Sequence, residues 1–461
     1  MPDYDMIVIG AGPAGQKAAV QAAKLNKRVA VIEREREVGG ACVTTGTLPS
    51  KTLRETVQFL AGFRKRHLQF GDGPQRKKAT MAQLLERKSS VVKHEIEIWR
   101  DQLERNQVEI LLGEGSFIDH DTVQVMNRAG KTTRYTAACF VIATGSRPAN
   151  LEGMPEFDPR VINSDTVLDL ENIPATLAVL GGGVIGCEYA CIFARLGSKV
   201  TLVDRRERLL RFMDDEITDT LVYHMREMDI TLRLGEQFEA LDTNPTEKME
   251  LRLASGKVIK CDRVMCAMGR TSNVETLNLD RVGIPTEGRT NLIKVNENYQ
   301  TACSHIYAVG DVIGFPALAS TSMEQGRLAS CHAFGITALS YPESFPYGIY
   351  TIPEISYAGQ NEQELTAKKI PYEIGRAEFG ETARGQIQGD NTGMLKLLFH
   401  RESLELLGVH IIGEGATELV HIGQAVMAHH GKVTYFIDNV FNYPTLAECY
   451  KVAALNGINR L

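Results

Sequence analysis

Apolar residues fall in short runs separated by glycine-rich turns and longer amphipathic stretches. Met6–Ile9 is an apolar run that predicts a strand. The turn Gly10-Ala-Gly12-Pro-Ala-Gly15 follows, and then an Ala-rich stretch to about Lys24 that predicts a helix. Arg28–Ile32 predicts a second strand, which ends on Glu33. The order then recurs. Thr176–Leu180 predicts a strand, Gly181-Gly-Gly183-Val184-Ile-Gly186 the turn, and a helix runs to about Leu196. Lys199–Val203 predicts the next strand, which ends on Asp204. The first glycines of the two turns lie 171 positions apart, and so do the two terminal acids. Two independent accidents would not share that offset, so the pattern reads as an internal duplication of one βαβ unit.

Between the copies, a polar segment from about Met81 to Asn106 predicts a long helix with a solvated face. Strand-like runs occur at Cys139–Gly145, Val264–Gly269 and His305–Asp311. After about Tyr341 the pattern changes. Short β-rich runs such as Met394–Phe399 alternate with helical ones such as Thr417–His429, without a glycine fingerprint. That tail predicts a third domain of a different type.

A length of 461 residues agrees with about three domains. The balance of 57 acidic against 51 basic residues gives a net charge of −6 and argues against a nucleic-acid partner. No stretch approaches the roughly 18 consecutive apolar residues of a membrane span. The first residues carry no basic, apolar, small-residue leader, so a cytoplasmic location is expected. Nine cysteines in a chain this long do not make a disulfide framework, and reduced thiols are expected.

The glycine turns carry the first candidate chemistry. In a G-x-G-x-x-G turn the first glycine makes the bend, the second lets backbone approach a pyrophosphate, and the third lets helix pack on strand. The pyrophosphate meets the free N–H groups and positive end of the helix. The acid closing the second strand accepts hydrogen bonds from a ribose. Gly10, Gly12, Gly15 and Glu33 form one such set, and Gly181, Gly183, Gly186 and Asp204 the other. Two sites suggest a tightly held flavin dinucleotide and an exchanging nicotinamide dinucleotide. Asp204 is followed by Arg205, Arg206, Arg208 and Arg211. An acid favours NAD, whereas guanidinium forks favour the 2′-phosphate of NADP. The cluster is either a solvated basic loop or a site that accepts both nucleotides.

With these residues in place the chain resembles the FAD-dependent class-I pyridine nucleotide-disulfide oxidoreductases, the family of glutathione reductase and dihydrolipoamide dehydrogenase. The resemblance spans nearly the whole chain. It rests on the two fingerprints with their acids, and on Gly39-Gly40-Ala-Cys42 leading into Gly46-Thr47-Leu-Pro-Ser-Lys51. It continues through Ala143-Thr144-Gly145, Gly186-Cys-Glu188 and Tyr307-Ala-Val-Gly-Asp311. The resemblance implies an α/β fold: two Rossmann-like dinucleotide-binding domains, for FAD and NAD(P), plus a C-terminal α+β dimerisation domain. The expected divisions are 1–155 with 280–340 for FAD, 156–279 for NAD(P), and 341–461 for the interface. It implies Asp311 on the flavin's ribityl chain, with Gly39, Gly40, Cys42, Thr47, Lys51, Thr144 and Gly145 also around FAD. Lys51 would lie near flavin N5 and pair with Glu188 beside the nicotinamide. Val184, where some relatives carry a gating tyrosine, and Gly269 would line the NAD(P) site with Asp204, Arg205 and Arg211.

Two departures from the family pattern bear on activity. Its disulfide reductases carry C-x4-C after the Gly-Gly, but here Cys42 is followed by Thr47. Their His-Pro-Thr…Glu, which reaches the partner subunit's site, is replaced by Tyr443-Pro-Thr-Leu-Ala-Glu448. A tyrosine, with a pKa near 10, is a poor thiol base at neutral pH. Thiol acceptor and thiol base are lost together, while both dinucleotide sites stay complete. This combination resembles the transhydrogenating members of the family. It implies an energy-independent, Si-specific, ping-pong hydride transfer between NADPH and NAD+ through reduced FAD, with NAD and NADP as substrates and a homodimer or larger homo-oligomer as the working form. Cys42 would be a remnant thiol that the reaction does not need. An NAD(P)H diaphorase or quinone reductase fits the lost disulfide equally well; a dihydrolipoamide dehydrogenase-like reductase and a nucleotide-sensing protein without turnover are further alternatives.

Other candidates read as structural. Cys261 and Cys266 have redox spacing, but five positions along one strand place side chains on opposite faces. Cys187 and Cys191 lack accompanying metal ligands, and no metal site is expected. His429 and His430 read as surface residues. Met323 and Glu324 fall in an expected helix after Asp311, whose N-terminus would face the flavin.

Overall fold

A computed structural model describes residues 1–65, 80–155, 158–243, 248–338, 345–389 and 392–461. The expected divisions at 155/156 and 340/341 touch segments outside the described residues.

The first unit runs β1 (Tyr4–Ile9), α1 (Pro13–Lys24), β2 (Val29–Glu33), α2 (Gly40–Thr44), α3 (Thr47–Lys65), α4 (Met81–Arg105), β3 (Glu109–Leu112), β4 (Glu114–Asp119), β5 (Thr122–Met126), β6 (Thr132–Ile142) and β7 (Ser146–Pro148). Strands β3, β2, β1 and β6 pair in parallel, and β4, β5 and the start of β6 form an antiparallel meander. The apolar runs of β1 and β6 are buried on both faces, as a parallel sheet requires. Met6 and Val8 face one core with α1 and α4, and Ile7 and Ile9 face another with the meander. The long helix expected from about Met81 is present, and Thr80 and Gln83 close its start with a reciprocal capping box.

The second unit repeats the plan with β8 (Val161–Asn163), β9 (Thr176–Leu180), α5 (Val184–Leu196), β10 (Lys199–Asp204), α6 (Asp215–Glu227), β11 (Thr231–Leu234), β12 (Phe238–Asp242), β13 (Met249–Leu253), β14 (Val258–Cys261), β15 (Arg263–Cys266) and β16 (Arg270–Ser272). Its parallel sheet has the order β11-β10-β9-β15-β8, and β12, β13 and β14 form the matching meander. One expectation changes here. Cys261 closes β14 and Cys266 closes β15, two strands of different sheets, so they share no strand. Both are free thiols.

The chain then passes through β17 (Thr286–Glu287) and β18 (Leu292–Ile293) to β19 (Ile306–Ala308), which pairs with β6 in the first sheet. α7 (Ala319–Ala333) packs on α1 at very close range. A side chain at Gly326 would meet the Ala14 carbonyl at 2.1 Å, and Ser330 Oγ donates to the Ala18 carbonyl at 2.8 Å.

The third unit comprises β20 (Tyr347–Ile349), β21 (Ile355–Gly359), α8 (Glu362–Ala367), β22 (Tyr372–Glu378), α9 (Ala383–Gln388), β23 (Met394–His400), β24 (Leu406–Ile412), α10 (Ala416–Ala428), α11 (Thr434–Asp438) and α12 (Glu448–Ile458). Its five strands pair antiparallel in the order β20-β21-β24-β23-β22. α10, α11 and α12 cover one face, through residues such as Val420, Phe436 and Tyr450. On the other face Ile349, Ile355, Met394 and Ile412 join the core of the second unit. Lys396 on β23 is 0% exposed. Its Nζ lies 2.8 Å from Asp214 Oδ1 and 2.9 Å from Glu216 Oε2, and also bonds Glu362. This buried ammonium ties α6 of the second unit to the third sheet. Among the described residues no helix is long and apolar enough to cross a membrane.

Candidate dinucleotide and redox site

The two glycine turns superpose in their bonding. Gly10 N–H donates to the Ile32 carbonyl and Gly181 N–H to the Val203 carbonyl, both at 2.8 Å. A Cβ on the first glycine would strike the Ala143 carbonyl at 2.4 Å in one copy and the Ala267 carbonyl at 2.4 Å in the other. A Cβ on the third would lie 1.9 Å from the Gly10 carbonyl oxygen (Gly15) or 1.8 Å from that of Gly181 (Gly186). The middle glycines are different. Gly12 and Gly183 have φ of −74° and −81°, which any residue adopts. A Cβ at Gly12 would come no nearer than 3.8 Å to the protein, and one at Gly183 would meet nothing within 4 Å. The fold therefore needs the outer glycines, whereas the middle ones keep open space before the N-termini of α1 and α5. That space, bounded by helix N–H groups, fits a dinucleotide pyrophosphate in each copy.

The acids differ between copies. Glu33 is 7% exposed and accepts the backbone N–H of Ala11 at 2.8 Å and of Glu35 at 2.9 Å. Burial pushes its carboxyl up, against those two bonds. Asp204 accepts from Gly182 N–H at 2.5 Å and Arg206 N–H at 2.8 Å. The Arg206 side chain also folds back on it, with Nε at 2.8 Å and Nη2 at 2.6 Å. Burial alone would raise this carboxyl, but the bonds from Arg206 and Gly182 hold it below the ordinary range. Arg208 pairs with Asp215 and Asp219, at 3.2 and 2.7 Å. Arg205 and Arg211 are exposed and have no acidic partner among the described residues. Val184 opens α5 and is half-buried; Gly269, at φ +120°, follows β15 with nothing within 4 Å of a Cβ.

A second group lies where the units meet. Gly39 N–H donates to the Ala11 carbonyl at 2.9 Å, and a Cβ at Gly40 would come 2.9 Å from Gly12 Cα. The Gly-Gly arm is thereby docked on the first turn, and Cys42 follows in α2. Burial pushes the Cys42 thiol up, opposed by a hydrogen bond with the Thr47 side chain. Lys51 on α3 reaches Glu188 on α5, Nζ to Oε2 at 2.7 Å. Glu188 is 3% exposed, and its other oxygen accepts the Tyr350 backbone N–H at 2.9 Å. The Lys51 ammonium also sits 4.9 Å from the centre of the Tyr350 ring. Asp311 Oδ2 accepts from Ser146 Oγ at 2.7 Å, and that hydroxyl accepts from Arg270 Nε at 2.7 Å. Thr144 Oγ1 is buried without a partner among the described residues, beside Gly145, whose own Cβ direction is open. This orphaned hydroxyl, the open glycine and the carboxylate of Asp311 suit the polyhydroxy chain and ring edge of a flavin.

Tyr350, Ser146, Arg270 and Arg206 were not singled out by sequence reasoning. In sequence Arg206 is one of four neighbouring arginines, with nothing to mark it from the rest. The others act on groups 124 to 165 positions away, so no local pattern marks them. Tyr443 is 69% exposed on the third unit and makes no hydrogen bond with Cys42, Lys51 or Glu188 within the chain. Glu448 begins α12, and its Oε2 is buried without a partner among the described residues. Met323 and Glu324 lie on α7 as expected. His430 is exposed against Glu405, and Cys187 and Cys191 are buried thiols.

Comparison with known proteins agrees with this geometry. Residues 4–326 match the family described as pyridine nucleotide-disulphide oxidoreductase, and residues 345–454 match its dimerisation domain. The soluble pyridine nucleotide transhydrogenase of Mycobacterium tuberculosis is 50% identical over 100% of this chain and 98% of its own length. That of Pectobacterium atrosepticum is 46% identical, again over 100% and 98%. LpdA from Mycobacterium tuberculosis has a similar structure, with a TM-score of 0.90 at 26% identity over 98% of this chain and 99% of that one. The HOCl-induced flavoprotein disulfide reductase RclA from Escherichia coli shares the fold, with a TM-score of 0.88 at 23% identity over 98% and 99%. With both glycine turns, the Lys51–Glu188 pair and the third unit accounted for, the chain belongs to the pyridine nucleotide-disulphide oxidoreductase family.

Proposed function

We propose that the chain transfers hydride between NADPH and NAD+ by way of bound FAD, both nucleotides using the second glycine turn in sequence. One observation carries the reading: Thr47 stands where a second cysteine would accept electrons, while both dinucleotide turns are complete. The full-length likeness to proteins named as soluble transhydrogenases supports it.

FAD, when bound, supplies a ring that accepts hydride from one nicotinamide and returns it to another. The chain's own groups do the rest. The N-terminus of α1 and the open space at Gly12 receive the flavin pyrophosphate, and Glu33 takes the adenosine ribose. Gly39, Gly40, Thr144, Gly145 and Asp311 hold the remainder. Lys51, fixed by Glu188, keeps a positive charge at the reacting end and favours the electron-rich form of the ring. Glu188 cannot wander, because Tyr350 N–H holds its second oxygen. Gly183, Val184, Gly186, Asp204, Arg205, Arg211 and Gly269 form the exchanging site. Cys42, with its thiol protonated, takes no part. Tyr443 and Glu448 serve a partner subunit. The working form is a homo-oligomer with the dimer as its minimum, which fits the exposed Val440, Tyr443, Val452 and Leu455 of the third unit. Si-specific transfer, a cytoplasmic site of action and the absence of a nucleic-acid partner complete the reading.

The test is anaerobic turnover of purified, flavin-loaded protein with NADPH and thio-NAD+, following reduction of the analogue. Rapid reduction is expected. Bleaching of the flavin by NADPH without reduction of thio-NAD+ would sink the reading and point to a quinone or oxygen as acceptor.

A further inference from the structure

The duplication supplies an internal control on the nucleotide-selecting acid. Glu33 receives one donor on each oxygen, so two acceptor positions remain for ribose hydroxyls. Asp204 receives two donors on each oxygen, four in all, which is the full capacity of a carboxylate. The excess comes entirely from one side chain. Two residues past the acid, the first copy has Glu35, 63% exposed and turned away, and the second has Arg206, folded back in a two-pronged grip. The backbone N–H bonds are common to both copies, so the guanidinium is an addition to the basic design.

That addition has opposite consequences for the two nucleotides. With Arg206 in place, Asp204 has no position for a ribose hydroxyl, but its charge is covered. A 2′-phosphate then meets a neutralised pair rather than a bare anion, with Arg205 and Arg211 exposed and without an acidic partner among the described residues. With Arg206 turned out, the carboxylate regains two acceptor positions for the 2′- and 3′-hydroxyls of an unphosphorylated ribose. The Arg206 side chain is 36% exposed, so its route to solvent is open.

We infer that Arg206 is a two-position lock that sets which nucleotide the second site takes, closed over Asp204 for NADP(H) and swung out for NAD(H). The inference rests on reading the second glycine turn as the site both nucleotides share. It assigns dual specificity to the exchange of one guanidinium between a carboxylate and solvent, rather than to two separate pockets.

The experiment uses ADP-ribose and 2′-phospho-ADP-ribose, which carry the selecting end and no nicotinamide, titrated into the flavin-loaded full chain by calorimetry. In Arg206→Gln, binding of 2′-phospho-ADP-ribose should weaken about tenfold or more, while ADP-ribose stays within about threefold or tightens. Adding Asp204→Asn to Arg206→Gln should restore most of the lost phosphate binding, because the uncovered amide carries no charge. Arg206→Lys, which keeps a cation beside Asp204, should retain more phosphate binding than Arg206→Gln and serves if the glutamine variant does not fold. Equal weakening of both probes, no selective change, or a double variant no better than the single one overturns the lock. So does a parent protein that binds neither probe. Thio-NAD+ turnover by the parent reports separately on the reaction: turnover with unselective variants removes only the lock, and selective variants without turnover remove only the transhydrogenation.

Discussion

Cys42 lies within a five-residue helix whose Gly-Gly entrance is docked on the first glycine turn, with Thr47 as its hydrogen-bonding neighbour. Burial raises the thiol further from ionisation, and only a thiolate attacks or shuttles electrons. Cys42→Ser should therefore keep thio-NAD+ turnover within about twofold, measured under the same anaerobic conditions. A loss of all turnover would show a chemical role for sulfur. Around this residue, what the sequence revealed depended on distance along the chain. The Lys51–Glu188 pair was readable because each residue sits in a motif of its own. Tyr350, which fixes Glu188 from 162 positions away, was not. Nor was the path from Arg270 through Ser146 to Asp311, since serine and arginine in short strands carry no signal of their own.

The glycine turn separates residues the fold needs from residues a ligand needs. A Cβ at Gly186 would lie 1.8 Å from the Gly181 carbonyl oxygen, so α5 would have to lift from β9. Gly186→Ala should cost about 1–3 kcal/mol or more and lower the melting temperature. Gly183→Val meets no protein atom near its Cβ. It should melt with the parent and keep its flavin, yet lose binding of ADP-ribose. Scanning calorimetry and the probe titration check both; a Gly183 variant that melts early would place its role in the fold. Elements with this punctuation were legible: β1-α1-β2 and β9-α5-β10 stand where the apolar runs and glycines predicted. Cys261 and Cys266 fall on two strands rather than one because a bend at Asp262 interrupts a stretch that looks continuous in apolar pattern.

Across the molecule, the attachment of the third unit to the second passes through Lys396. In sequence it is a polar position in an apolar strand, which alternation would turn toward water; in the fold it is wholly buried among Asp214, Glu216 and Glu362. Its surroundings respond to acid. Burial pulls the His410 ring below its ordinary value, against the pull of Asp214. The unfolded chain takes up that proton below about pH 6.5 and the folded chain does not, so stability falls as pH drops from there. Burial would raise Asp214, but His410 and Lys396 hold it low, so its contribution is complete above about pH 3.9 and disappears as pH falls through the lower folded value. Lys396 is raised by Asp214 and its other acids despite burial, so it stays charged until strongly alkaline pH. The melting temperature should therefore decline from about pH 6.5 toward pH 4, and His410→Gln should flatten the upper part of that decline. Thermal scans across pH check this. An unchanged slope in the variant would remove His410 from the account.

The return of β19 to the first sheet has a consequence for how a growing chain acquires its shape. Synthesis runs from the N-terminus, and the second sheet is complete in sequence by Cys266. The first sheet still lacks β19 at that point, and the first unit lacks Gly310, Asp311 and the whole of α7. Of the two sheets, the one that begins first is finished last. A nascent chain thus holds a complete second sheet while the first is still open along the β6 edge and uncovered at α1. The apolar groove over Ala14 and Ala18 faces water until α7 emerges to fill it.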